Sequence, residues 1–185
     1  MALSRVSNEA LVAAAAEVFR THGFEGATLR RLSEATGLEK ASLYHRFPRG
    51  KEEIALAVAE RVNQWFSKNV FEPLEGDGTP STRVRLIAHK LREFYGDGSK
   101  SCTLDTLSLS GGGDALAAAL QAGLLGWLEA FTRISKESGL PAATARSRAE
   151  QAIIEVEGAL VLSRVLRHNK LFLKVISRLP ELLLI

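Results

Sequence analysis

The sequence predicts an all-α protein in which an N-terminal three-helix head is joined to a larger helical body. The 185-residue chain contains only five prolines, and alanine and leucine, which favour helices, are abundant. Apolar residues recur every three or four positions, and no long stretch alternates apolar and polar residues as a strand would. We expect the head over residues 1–50 and the body over residues 51–185.

The first two helices of the head have capping residues at both ends. Ser7 suits the N-cap of the first helix, and Gly23 offers a C-terminal stop. Thr28 suits the N-cap of the second helix, which is expected to end before Gly37. Both helices carry apolar residues at helical spacing, so each has one face to bury.

The third helix is predicted over about residues 40–47, and a long fourth helix follows it. Pro48 and Gly50 end the third helix, because proline disfavours helical geometry in its predecessor and glycine carries the largest backbone entropy cost. Lys51 opens the fourth helix, which runs to about Val70. Its length suits a connector between two helical bodies.

The rest of the body is predicted as helices separated by glycine-rich and proline-rich breaks. Gly96-Asp97-Gly98 closes one helix, Ser110 and three glycines break the chain, and Asp114 can cap the helix after that break. The other expected elements are a loop over residues 72–80 and helices over residues 82–95, 102–109, 141–168 and 170–185.

The predicted helix over residues 141–168 is apolar on nearly every side, which is the pattern of a helix buried all round. In a small protein both faces are most simply covered when one packs in the domain and the other packs against a second copy. We therefore predict a homodimer through this helix and the last helix, residues 170–185.

The positive charge of the chain lies in the head. The net charge is +3 and the isoelectric point is near 9.2. Residues 1–51 contain eight Lys or Arg and five Glu, whereas the rest of the chain contains sixteen residues of each sign. A localised positive excess is typical of a surface that meets phosphates.

Several kinds of site are not expected. Cys102 is the only cysteine, which excludes an intrachain disulfide or a cysteine-based zinc site. The four histidines are far apart, and no metal-ligand spacing, phosphate loop or nucleophile motif is present. We therefore expect no metal, no cofactor and no enzymatic activity. Since no targeting or membrane segment is evident, we expect a cytoplasmic location.

The pair of short helices around Gly37 has the form of a helix-turn-helix, in which a tight glycine-containing turn joins two helices. Lys40, Ser42, His45 and Arg46 then point outward from the second helix of the pair, where polar donors suit bases and phosphates. The residues that can form the inner face are Leu29, Leu32, Leu38, Leu43 and Phe47.

At these positions the sequence resembles the tetracycline-repressor (TetR) family of bacterial regulators. The resemblance covers roughly residues 6–60 and implies a DNA-binding head, a variable ligand-binding body and dimerisation through the last two long helices. It rests on the order, spacing and type of Phe19, Gly23, Phe24, Thr28, Leu32, Ala35, Gly37, Leu43, Tyr44, Phe47, Lys51 and Glu52.

Carried over by position, the resemblance implies DNA contacts for nine residues of the head. Thr28 and Tyr44 are implied to hold phosphates, and Lys51 to meet the DNA backbone at the N-terminus of a helix. Arg30 is implied to reach a base or a phosphate, and Arg46 to replace a donor histidine of the family. The residues implied to face the major groove are Lys40, Ala41, Ser42 and His45.

Besides His45-Arg46, where the family usually has an aromatic or basic residue followed by histidine, two positions depart from the family pattern. Glu39 stands where the family favours a serine cap, and an acid there repels phosphate unless it caps the helix or accepts from cytosine. Gly50 adds a residue before Lys51, which changes how that lysine approaches DNA.

Aromatic residues of the body are candidates for a pocket that binds a small apolar or aromatic effector, as the resemblance implies. Such residues at helical spacing are more often plain core. The lone cysteine is either a redox or electrophile sensor or a small buried residue. The candidate ligand-binding residues are Trp65, Phe66, Phe94, Cys102, Trp127 and Phe131.

These observations together predict a ligand-responsive repressor that binds a palindromic DNA operator as a homodimer. Two other classes remain open, namely a helical enzyme or carrier for a small molecule and an adaptor that docks proteins on its helix-turn-helix. Salt separates them, because phosphate-dominated binding weakens steeply with ionic strength and an apolar contact does not.

Overall fold

The computed structural model describes residues 6–108 and 112–185, and every regular element within those ranges is helical. The predicted all-α class is confirmed. The predicted helix end at Leu109 and the predicted break at Ser110 and Gly111 lie outside the described residues.

The described helices follow one another with short connections. A π-helical segment, Ser67–Phe71, follows the fourth α-helix, and a 3₁₀ turn, Gly96–Gly98, follows the sixth. The α-helices are α1 Asn8–Gly26, α2 Leu29–Thr36, α3 Lys40–Arg46, α4 Lys51–Phe66, α5 Glu72–Glu75, α6 Pro80–Phe94, α7 Thr103–Ser108, α8 Gly113–Glu137, α9 Ala142–Leu166, α10 Lys170–Ser177 and α11 Leu179–Leu183.

The chain packs into two compact units that do not correspond to a single cut in the sequence. The head unit contains Met1–Asn63 and Thr103–Gln121, and the body unit contains Gln64–Cys102 and Ala122–Ile185. Most of α4, all of α7 and the first part of α8 therefore belong with the three N-terminal helices. The predicted boundary at residue 50, between a DNA-binding domain and a regulatory domain, stays a prediction.

One apolar core holds the head unit together. Helices α2 and α3 are eight and seven residues long, and isolated helices of that length are not stable in water. Their stability therefore comes from packing against their neighbours. The core side chains, each at most 2% exposed, include Leu11, Phe19, Leu32, Leu43, Ile54, Leu107 and Leu116.

The predicted N-caps of the first two helices are confirmed. The Ser7 hydroxyl accepts from the amide of Ala10 at 3.1 Å, and the Thr28 hydroxyl accepts from the amide of Arg31 at 3.3 Å. Gly23 leaves helical geometry with φ of 65°, as expected of a stop, but one further turn follows before α1 ends. The glycine thus kinks the helix instead of ending it.

Arg46 ties α3 to the start of the chain. Its Nη1 donates to the carbonyl of Val6 at 2.6 Å and to Oδ1 of Asn8 at 3.2 Å. The role predicted for Arg46, that of a donor to DNA, does not agree with this arrangement, because the guanidinium is turned towards α1. A charged donor bonded to a backbone carbonyl positions α3 instead.

The predicted loop over residues 72–80 is shorter in the structure. Residues 72–75 continue as α5, so only residues 76–79 are non-helical. Pro73 follows the π-helical segment Ser67–Phe71, within a helical stretch that is continuous from Lys51 to Glu75. Thr79 then caps α6 by accepting from the amide of Thr82 at 3.2 Å.

The single last helix predicted over residues 170–185 is two short helices. Helix α10 ends at Ser177, and Pro180 stands in the first turn of α11. Proline clashes with the carbonyl four residues earlier, so a continuous helix through this position is disfavoured.

The predicted dimer surface also needs correction, because α10 and α11 bury their apolar side chains inside the body unit. Phe172, Ile176, Leu179 and Leu183 are at most 1% exposed. Most of the exposed large apolar side chains lie on α8 and α9, and Ile185 and Leu86 are exposed elsewhere. Those on α8 and α9 are Leu124, Leu125, Ile154, Val161, Leu162, Val165 and Leu166.

Helix α8 is long and apolar enough to cross a membrane when only length and composition are considered, and it is the one such helix among the described residues. Core helices of soluble proteins pass the same test. Leu116, Trp127 and Phe131 of α8 are buried within their units, so α8 gives no positive indication of a membrane.

Gly98 allows the 3₁₀ turn to approach α10 closely. Its φ is +93°, and a Cβ at this position would lie 2.8 Å from Phe172, whose side chain is fully buried. Real Cβ atoms do not approach other atoms so closely, so a side chain here requires Phe172 or the turn to move.

We expect Gly98→Ala to lower the free energy of unfolding by about 3 kcal/mol, from the left-handed backbone and the clash with Phe172. Gly78→Ala is the matched control, since φ is +102° there but the nearest atom to an added Cβ is Thr82 Cβ at 3.9 Å. That control should cost about 1 kcal/mol. Urea unfolding followed by circular dichroism measures both, and equal losses would refute the close contact.

We expect Arg46→Ala to lower the free energy of unfolding by about 1–3 kcal/mol, because the carbonyl of Val6 loses a charged donor. Arg49→Ala serves as the control, since its side chain is exposed and only its backbone amide is bonded, to Glu53. The control should stay within about 0.5 kcal/mol of the parent. Indistinguishable urea midpoints for the two variants would contradict the anchoring role.

Candidate nucleic-acid interface

Helix α3 buries one side and presents the other to solvent. Leu43 is 1% exposed and Phe47, just after the helix, is 8% exposed, so these two residues hold α3 on the core. All the residues predicted to face the major groove are exposed, together with the predicted phosphate ligand on the same helix. They are Lys40, Ala41, Ser42, Tyr44 and His45.

The turn between α2 and α3 is held by side-chain hydrogen bonds. The Ser33 hydroxyl donates to the carbonyl of Leu38 at 2.5 Å, and the Thr36 hydroxyl donates to the carbonyl of Leu32 at 2.7 Å. Gly37 ends α2 with φ of +67°, a left-handed conformation that glycine adopts without steric cost. These contacts set the direction in which α3 leaves the turn.

The predicted phosphate ligands converge on one open cavity of the head unit. Thr28, Tyr44 and Lys51 all line it, and its volume is about 620 Å³. Gly50 closes one side, where an added Cβ would lie 3.3 Å from Tyr44 Cε1. The positive φ of +64° at Gly50 turns the chain into α4 and leaves room for the tyrosine ring.

Arg49 lines the same cavity and was not among the predicted contacts. Its exposed side chain has no ion-pair partner within the described ranges, so it is available to a phosphate. The sequence could have indicated this contact. Arg49 stands between Pro48 and Gly50 in the turn before α4, and anions often bind at the N-terminus of a helix.

Lys51 is partly engaged within the head unit. Its Nζ lies 4.2 Å from the centre of the Phe24 ring and 3.4 Å from a carboxylate oxygen of Glu25. Glu25 is 78% exposed, so this ion pair is weak and screened by salt. A phosphate can therefore compete with Glu25 for the ammonium group.

Two acids lie among the candidate DNA contacts. Glu34 accepts from Nε of Arg30 at 2.9 Å, and this hydrogen bond and the charge of the carboxylate raise the pKa of Arg30. Glu39 occupies the N-cap position of α3 but makes no side-chain cap hydrogen bond. The capping role considered for Glu39 is thus absent, and its carboxylate stays exposed beside Lys40.

In the body unit, the predicted ligand-binding aromatics form one connected cluster. The ring centres are 4.1 Å apart for Trp65 and Phe94, 5.2 Å for Phe66 and Trp127, and 5.7 Å for Trp127 and Phe131. Phe66 also contacts Trp65 and Phe94. The indole N–H of Trp127 is buried without a hydrogen-bond acceptor in the described chain.

Cys102 joins this cluster through a tyrosine. The Tyr95 hydroxyl donates to Sγ of Cys102 at 3.6 Å, and the Tyr95 ring packs edge-on against Phe94. The cysteine is 5% exposed, so it occupies a buried position.

Residues 11–58 match the family model described as bacterial regulatory proteins, tetR family. Over the full length, the chain is 23% identical to the HTH-type transcriptional regulator LmrA of Bacillus subtilis, and the alignment covers 96% of each protein. Over 66 residues it is 43% identical to the HTH-type transcriptional repressor AcnR of Corynebacterium efficiens, covering 36% of this chain and 35% of AcnR.

Solved structures with the same fold include two that cover nearly the whole chain. A TetR transcriptional regulator from Legionella pneumophila is 16% identical, covers 99% of this chain and 100% of its own, and superposes with a TM-score of 0.84. A cysteine mutant of the TetR-family regulator CifR, solved with a 26-base-pair double-strand operator DNA, is 17% identical, covers 97% of this chain and 98% of its own, and has a TM-score of 0.76.

The helix-turn-helix, the family match over α1 to α4 and the full-length relative all point to DNA binding by the head. Residues 11–58 therefore match the DNA-binding head of the tetR family of bacterial regulatory proteins, and the whole chain is similar to an HTH-type transcriptional regulator.

Proposed function

We propose that the protein is a ligand-responsive repressor that acts in the cytoplasm and binds a palindromic operator as a homodimer. The observation that carries the proposal is the exposed face of α3, flanked by the cavity that Thr28, Tyr44 and Lys51 line. Repression is favoured because AcnR, which is 43% identical to this chain over 66 residues, is named a transcriptional repressor.

On this proposal the two sets of head residues have different tasks. Lys40, Ser42 and His45 reach base edges in the major groove, where donor and acceptor patterns differ between base pairs. Thr28 and Tyr44 hold phosphates and fix the register of the helix on the duplex. A seven-residue helix presents few side chains, so one head reads only a short half-site.

The exposed apolar stripe of α9 supports a homodimer. Gln151, Ile154, Gly158, Val161 and Val165 are all exposed and repeat at intervals of three and four residues. This is the spacing of the seam between two helices packed side by side. Nothing lies within 4 Å of a Cβ placed on Gly158, so a partner helix has room to approach there.

Dimerisation explains the palindromic operator. A two-fold dimer carries two copies of α3 and therefore binds two half-sites related by the same symmetry. The exposed Leu124 and Leu125 of α8 extend the apolar surface available to the second copy.

An effector site at the aromatic cluster is supported by the buried indole N–H of Trp127. An unpaired buried donor is costly, and a ligand with an acceptor oxygen would satisfy it. Trp65, Phe66, Phe94 and Phe131 would contact an apolar or aromatic body of such a ligand. Cys102 is placed beside the cluster and belongs to the same proposal.

Effector binding lowers DNA affinity if the effector prefers a conformation in which the two heads do not match the half-site spacing. Coupling of this kind is typically about 1–3 kcal/mol. Helix α4 is continuous from the head unit into the body unit at residue 64, so it is the element proposed to transmit the change.

We expect the protein to bind labelled DNA from the region upstream of its own gene, measured by fluorescence anisotropy at several salt concentrations. Lys40→Ala should weaken binding by about 1–3 kcal/mol and relax the sequence preference at the base that Lys40 contacts. Tyr44→Phe should also weaken binding, since a phosphate loses a donor. Glu39→Gln should strengthen it, because a carboxylate beside the DNA is removed.

Lys136→Ala is the control for those variants, because Lys136 is an exposed cation in the last turn of α8, in the body unit. Its affinity and salt slope should equal those of the parent. A folded protein that binds none of the upstream DNA would overturn the regulator proposal. DNA binding that does not weaken as salt rises would contradict a phosphate-dominated contact.

We expect the double variant Ile154→Glu, Val165→Glu to sediment as a monomer, because two charges would be buried at the proposed seam. Leu86→Glu is the control, since Leu86 is 47% exposed on α6 and should leave the mass unchanged. Sedimentation velocity measures all three proteins. A parent chain that sediments as a monomer, or a double variant with the mass of the parent dimer, would contradict the proposed interface.

A further inference from the structure

The body unit contains a second candidate site, a polar cavity where the 3₁₀ turn meets the junction of α9 and α10. Its volume is about 500 Å³, within the range of small-molecule sites. None of the aromatic cluster residues lines it. The lining residues are Gly98, Ser99, Ser163, Arg164, Arg167, His168 and Asn169.

The lining is cationic and contains no acid. Arg167 and His168 are exposed and have no ion-pair partner in the described part of the chain. Asp97, beside the cavity in the 3₁₀ turn, is already bonded to Nε of Arg92 at 2.8 Å. The positive charge at the cavity is therefore available to an anion.

Neutral donors surround the same cavity. The Ser163 hydroxyl is buried without a hydrogen-bond partner in the described chain, and Ser163 is 3% exposed. Asn169 precedes α10 but makes no side-chain cap, so the first amides of that helix lack a capping acceptor. Uncapped helix N-termini and arginine side chains are both common partners of phosphate.

The backbone holds Arg167 in an unusual conformation. Its φ of +55° and ψ of 33° end α9 in the left-handed region, where glycine or asparagine is the usual residue. A non-glycine residue in this region adds a conformational cost. From this turn Arg167 lines the cavity.

We propose that this cavity binds a phosphate-bearing small metabolite through Arg167, His168 and the amides that open α10. The phosphoryl group would accept from the guanidinium, the imidazole and the backbone donors, while the remaining cavity volume accommodates the organic part. Ser163 lies on the side of α9 away from Val165, since a two-residue step rotates about 200° around a helix. The site therefore stays open in the proposed dimer.

The test is a titration of the full-length protein with pyrophosphate, followed by calorimetry and by two-dimensional amide NMR. We expect one class of sites whose filling shifts the amide signals of Ser99, Asn169, Lys170 and Leu171. Arg167→Asn should weaken this binding by about tenfold or more, because a charged donor is lost. Asparagine tolerates the left-handed conformation, so the variant keeps the turn.

His168→Gln is a second variant that removes the imidazole and keeps a donor, and it should weaken binding less than Arg167→Asn. Lys136→Gln, which removes one charge on α8, should bind as the parent does. Sodium acetate as ligand should produce no comparable shifts if the site selects phosphate. Pyrophosphate shifts confined to the amides of Lys40, Tyr44 and Arg49 would overturn the proposal, and so would equal affinity in Arg167→Asn and the parent.

Discussion

Burial of Leu43 and Phe47 in the head core is the constraint on which the DNA-facing surface depends. Helix α3 is too short to persist alone, and these two side chains are its contacts with the core. With one side so occupied, the outward direction of Lys40, Tyr44 and His45 follows from helix geometry. The surface proposed to contact DNA is therefore the part of α3 that the core leaves exposed.

The cations of the head divide between structure and recognition. Arg46 and Arg31 donate to the carbonyls of Val6 and Gly26, so they hold the ends of helices. Lys40 and His45 have no such partner in the described part of the chain. A local count of positive charge therefore overstates how many cations are free to meet phosphates, although the excess itself still lies on the head.

In the body unit, the buried apolar side chains, the exposed apolar side chains and the basic cavity lie on different helices or on different sides of one helix. Helices α10 and α11 complete the core, whereas the exposed apolar stripe belongs to α9. The far side of α9 borders the basic cavity at Ser163. One helix thus carries both the proposed dimer seam and the proposed anion site, and the two do not compete because they lie on different sides.

The sequence by itself determined the helical class, the caps at Ser7 and Thr28 and the helix-turn-helix around Gly37. These features depend on residues at most a few positions apart, where a hydroxyl satisfies a nearby amide or a glycine takes a left-handed turn. The resemblance to the family also predicted that Tyr44 is exposed, because it placed Tyr44 among the residues that contact DNA.

Only the tertiary structure determined which residues far apart in the sequence contact each other. In the folded chain Arg46 donates to the carbonyl of Val6, and Gly98 packs against Phe172. The apolar side chains of the last two helices are buried within the chain and are not available to a second copy. Folding also placed Arg167 at a cavity shared with the 3₁₀ turn. These outcomes depend on contacts between segments that are far apart in the chain, and local spacing carries no information about them.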